Sequence, residues 1–71
     1  MSEKQIDFVS EYIYRFFLHI ADSIEAGKLA EALLPEVVED VERTADPDKW
    51  GSGDIDIALT RVLVKRLAGE D

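Results

Sequence analysis

Three groups of residues in this 71-residue chain have types and spacings that chemistry could use. The first is the loop that begins at Asp46. Counting from it, carboxylates stand at the first, third and ninth places (Asp46, Asp48, Asp54) and Gly51 at the sixth, an order that suits oxygen ligation of calcium around a tight turn. Trp50 occupies the fifth place, where another oxygen is needed, and Ile57 the twelfth, where a bidentate glutamate would close the shell. The loop is short of hard ligands, and a turn followed by a helix cap explains the same residues. The second group is His19, with Arg15 and Asp22 at i−4 and i+3, and with Ser10 and Ser23 as the available hydroxyls. A serine–histidine–aspartate device is defined by geometry, and no glycine-rich elbow surrounds either serine. The set reads as a solvated charge cluster. The third group, Glu36, Glu39 and Asp40, reads as an exposed acidic helix face that favours solubility. None of the three calls for catalysis, a cofactor or a metal, so the expectation is a non-enzymatic protein.

The triplet Asp22-Ser23-Ile24 resembles the Asp-Ser-Leu motif of acyl carrier proteins, with Ile24 in place of the leucine and Ala21 where a glycine usually precedes the aspartate. Short length, acidity and several helices are similar to that family too. The resemblance covers three residues. It implies that Ser23 carries a phosphopantetheine arm and opens a second helix after a long loop. The apolar period, by contrast, places Ile20 and Ile24 in register within one continuing first helix.

Apolar side chains that exceed the needs of one core suggest binding. Segment 6–24 carries a main stripe of Ile6, Val9, Ile13, Phe16, Ile20 and Ile24, and also Phe8, Tyr14 and Leu18 away from it. In segment 54–67, Ile57 and Val64 lie i,i+7 on a second side. Trp50, set in a polar loop, is read either as a lid folded over the bundle or as an anchor for a partner. Phe8, Tyr14, Leu18, Trp50, Ile57 and Val64 are therefore the candidate protein-binding residues. The opposing expectation is that a short helix and the Trp50 loop cover them within one chain.

These residues must be positioned by helices. Ser2 with Glu3, or Asp7, opens the first, which is predicted to run to Ala26 and stop at Gly27. A short helix over 28–34 is expected next, with Leu29 and Leu33 spaced i,i+4. Pro35, well tolerated in a first turn, is expected to open a further helix over 35–45. A loop spans 46–53, and the last helix spans 54–67, capped by Asp54 or Ser52 and stopped by Gly69. The fold class is all-α: a small bundle of three main helices plus one short helix, forming a single domain over 1–71. The expected core is Ile13, Phe16, Phe17, Ile20, Leu33, Val37, Val41, Leu59, Val62 and Leu63.

Sixteen acidic residues against eight basic ones give a net charge of −8. That field repels phosphate backbones and anionic lipid surfaces, which argues against nucleic acid and membrane as partners. The candidate last helix also opens with two aspartates, unlike a helix that reads a DNA groove. A hydrophobic content of 46% is too high for a disordered acidic tail. There is no cysteine to staple so small a domain, which leaves self-association as the available reinforcement. No signal segment or membrane-length apolar run is present, so a cytoplasmic location is expected. Taken together, the residues favour a protein–protein interaction module that forms a homodimer or similar homo-oligomer. An acyl-carrier-like accessory protein and a degenerate calcium-loop protein are the alternatives.

Overall fold

A computed structural model describes residues 1–46 and 48–69. Pro47, part of the expected loop, lies outside the described residues. Three α-helices follow one another, α1 (Glu3–Leu18), α2 (Ser23–Thr44) and α3 (Ser52–Leu67), with no strand among the described residues.

Helix α1 begins where a capping box forms. The Ser2 hydroxyl accepts from the Gln5 amide at 3.3 Å, and the Gln5 side chain accepts from the Ser2 amide at 2.8 Å. It ends eight residues earlier than the apolar period predicts. The chain turns over residues 19–22, and Asp22 becomes the N-cap of α2, its carboxylate accepting from the Glu25 amide at 2.8 Å. A side-chain oxygen that satisfies an orphan amide here outweighs the continuity of the apolar stripe. As a consequence Ile20 and Ile24, expected in register on one helix, lie in the connecting turn and in the first turn of α2, and stand 75% and 69% exposed. Ile20 is thus no core residue, and Phe16 is exposed as well.

Helix α2 absorbs both the short helix expected over 28–34 and the one expected to open at Pro35. It runs unbroken for 22 residues with Pro35 inside it and Gly27 near its start. Proline withholds one amide from the ladder. Pro35 lies on the exposed side of α2, while Leu33, Val37 and Val41 on the inner side are buried and hold the helix against the core. Helix α3 begins at Ser52, with Gly51 as N-cap. Asp54 contributes from inside the first turn, accepting from the Gly51 amide at 2.9 Å. Gly69, with φ of 77°, provides the left-handed residue that ends α3.

The core is one apolar cluster drawn from all three helices: Val9, Ile13 and Phe17 from α1, Leu33, Val37 and Val41 from α2, and Ile55, Leu59 and Val62 from α3. Ala26, Ala30 and Ala58 are buried in the same cluster. Leu63 is half-buried at its edge. Helices α1 and α2 form the most extensive pair and run antiparallel; α3 packs antiparallel on α2 and touches α1 more sparingly.

Candidate functional site

The α2–α3 junction carries the one ionised side chain buried among the described residues. Asp40, only 6% exposed, lies on the inward edge of α2, so the reading of Glu36, Glu39 and Asp40 as one solvated face is corrected for Asp40. Arg61 of α3 grips it through Nε, at 3.1 and 3.2 Å from the two carboxylate oxygens, and through Nη2. Nη2 also donates to the Thr44 hydroxyl at 3.1 Å, and that hydroxyl donates to the Asp40 carbonyl at 2.8 Å. Arg43 adds a long contact of 3.5 Å. Hydrogen bonding to Arg61 holds the Asp40 carboxyl below the usual carboxylate range against the opposing push of burial, with the nearby charges of Arg61 and Arg43 acting in the same direction. One turn further along, Arg66 Nε donates to Glu36 at 3.0 Å. These contacts tie α3 to α2 along their shared edge. The helical period carries a signal for the inward position of Asp40, which stands at i+3 from Val37 and i+7 from Leu33, in register with the buried face of α2. The spacing of two arginines on α3 opposite Glu36 and Asp40 becomes readable only once the helices are known to pair antiparallel.

The chemistry-bearing groups of the sequence are not assembled into sites. His19 caps the C-terminus of α1, and because the helix has ended, Asp22 is not its helical neighbour. The Asp22 carboxylate is occupied by capping, and His19 makes no hydrogen bond with Ser10, Ser23 or Asp22 among the described residues. Around the Asp46 loop, two of the three counted carboxylates serve the backbone: Asp46 accepts from the Asp48 amide at 3.0 Å, and Asp54 accepts from Gly51. No group of three or more potential ligands with metal-binding geometry occurs among the described residues. Ser23, however, is the first residue of α2 and is exposed, a placement the apolar period does not predict.

The candidate binding residues fall into separate places. Phe8 and Trp50 meet with ring centroids 6.1 Å apart and planes inclined by 46°, so the loop before α3 folds onto the side of α1. Trp50 is half-buried on the core while Phe8 stays exposed. Tyr14 is half-buried and lines a groove between α1 and α2. Leu18 stands exposed at the end of α1. Ile57 and Val64 stand 55% and 59% exposed along α3, extended by Leu67 at its end. Among the described residues, no helix is long and apolar enough to cross a membrane. No protein-family model, no curated protein and no solved structure matches this chain.

Proposed function

We propose that this chain is a non-enzymatic, cytoplasmic protein–protein interaction module that associates with a second copy of itself through the outer face of α3. The observation that carries the reading is that Ile57, Val64 and Leu67 remain uncovered along α3 after the core has closed. Desolvating them is worth roughly 25 cal/mol per Å² of apolar surface. Charge supports a second copy as the occupant. Arg61, Arg66 and Asp54 are engaged within the chain, but Asp56 in the first half of α3 and Lys65 in the second are exposed and have no ion-pair partner among the described residues. A two-fold, antiparallel pairing sets the half of each helix that carries Asp56 against the half that carries Lys65. The net charge of −8 argues against nucleic acid as partner.

Sedimentation of the whole chain at micromolar concentration tests this. The expected result is a reversible dimer that Ile57→Lys or Val64→Lys converts to monomer without loss of helical signal. A clean monomer for the unaltered chain overturns self-association.

A second reading, an acyl-carrier-like accessory, is favoured by one observation: Ser23 opens α2 with its side chain exposed and Asp22 immediately before it as N-cap. The connection ahead of it spans only residues 19–22, unlike the long loop of that family. Incubation with a phosphopantetheinyl transferase and coenzyme A, followed by mass measurement, decides. Unchanged mass removes this reading.

A further inference from the structure

We propose that the groove between α1 and α2, on the face that carries Tyr14, is a docking site for an amphipathic helix of a partner protein whose flanks are lysine- or arginine-rich. This names a second partner class for the interaction module and rests on the reading of the chain as such a module, but it does not depend on self-association through α3.

The groove is open and shallow, with a volume of about 470 Å³. Its lining between the acidic residues is apolar or small, made by Ser10 and Tyr14 on one side and by Gly27, Ala30 and Leu34 on the other. Its rim is acidic: Asp7 and Glu11 on α1 and Glu31 on α2, all exposed. Glu11 is shared with Arg15, whereas neither Asp7 nor Glu31 has an ion-pair partner among the described residues, although Lys4 and Lys28 lie only three residues away in sequence. An apolar floor between unpaired carboxylates matches a helix with an apolar stripe and basic flanks.

Gly27 bears on how closely an occupant could approach. It lies in a helix, where glycine is unfavourable, and its backbone needs no left-handed conformation. A Cβ added there would meet nothing within 4 Å, so packing inside the chain does not require glycine either. Without a side chain at this position, the groove leaves room for another helix to come close. A second copy presenting the same face is a poor occupant, because two-fold pairing here would set Asp7, Glu11 and Glu31 against themselves. A basic partner does not carry this penalty.

The test is calorimetric titration of the whole chain with a synthetic helical peptide of about 16 residues, long enough to span the groove, with leucine on one stripe and lysine flanking it. The controls are a peptide of the same composition with the stripe scrambled, and chains carrying Gly27→Leu or the pair Asp7→Lys and Glu31→Lys. One peptide should bind per chain, with affinity falling as salt rises. Gly27→Leu, which improves helix propensity and so should raise the melting temperature, fills the floor and should weaken binding by roughly tenfold or more, as should the charge reversal and the scrambled stripe. The proposal is overturned if Gly27→Leu binds the peptide as tightly as the unaltered chain, or if the scrambled peptide binds equally well. It is also overturned if the peptide acts only by dissociating a dimer, which would make the second copy the groove's occupant. A monomer that binds the patterned peptide would remove self-association alone; a dimer indifferent to it would remove the groove alone.

Discussion

At the scale of single residues, the Asp40–Arg61 contact makes the clearest stability prediction. Replacing Asp40 with asparagine keeps the shape and removes the charge that Arg61 grips, and chemical denaturation should show a loss of about 1–3 kcal/mol at neutral pH. The pH dependence follows from the lowered carboxyl of Asp40. Between the folded value and the ordinary unfolded value near 3.9 the unfolded chain binds the extra proton, so stability rises with pH there. The contribution is fully present above about pH 4 and is lost as pH falls through the folded value. The gap between the unaltered chain and Asp40→Asn should therefore close in acid. A gap that is constant from neutral pH down into acid would mean that the charge is not what Arg61 recognises. Trp50 offers a spectroscopic check at the same scale. With Phe8 at 6.1 Å covering part of its ring, Phe8→Ala should shift Trp50 emission to the red, and an unchanged spectrum would show the loop does not rest on α1.

At the scale of elements, the break between α1 and α2 and the continuity of α2 both follow from backbone hydrogen bonding. The cap at Asp22 is the device that starts α2, and Asp22→Ala should cost about 1 kcal/mol in thermal or chemical unfolding. Pro35 and Gly27 carry the opposite sign. Both are poor interior residues, Pro35 is exposed, and nothing inside the chain crowds Gly27. Pro35→Ala should stabilise by up to about 3 kcal/mol and Gly27→Ala by roughly 0.5–1 kcal/mol. A destabilised Pro35→Ala chain would mean that α2 needs its proline.

The elements also show how far the sequence could be read. The inner faces of α2 and α3 were legible because Val37, Val41, Leu59 and Val62 recur at helical spacing with charges outside them. The Ser2 start and the Gly69 stop were legible because their cap chemistry is local. The α1–α2 turn was hidden by Ile20 and Ile24, which extend the apolar period across a break although Asp22 and Glu25 already form a cap pattern there. Pro35 misled because a proline's first-turn preference is a tendency, and packing of Leu33 and Val37 on either side of it prevails. Within the candidate site, Trp50 and Phe8 could each be singled out from type and position, but not their contact. Asp40 stands in register with Leu33 and Val37, so its inward position was legible in the period but masked by its charge, whereas its Arg61 partner and the groove beside Gly27 depend on how the helices pair.

At the scale of the molecule, a three-helix domain measuring 32 × 26 × 17 Å closes one core and still leaves apolar side chains outside it on α3 and around the α1–α2 turn. Those on α3 combine exposure with Asp56 in the first half of the helix and Lys65 in the second, which is why α3 is the surface proposed for a second copy. The acidic groove behind α1 and α2 lies on a different set of side chains and suits a different partner. The most direct measurement is the set of backbone amide resonances followed over a roughly hundredfold dilution that crosses a micromolar dissociation constant. Concentration-dependent shifts should gather at Ile57, Val64 and Leu67 and leave Tyr14, Gly27 and Glu31 unmoved. Resonances that stay fixed throughout the dilution, or shifts confined to the α1–α2 groove, would contradict the account.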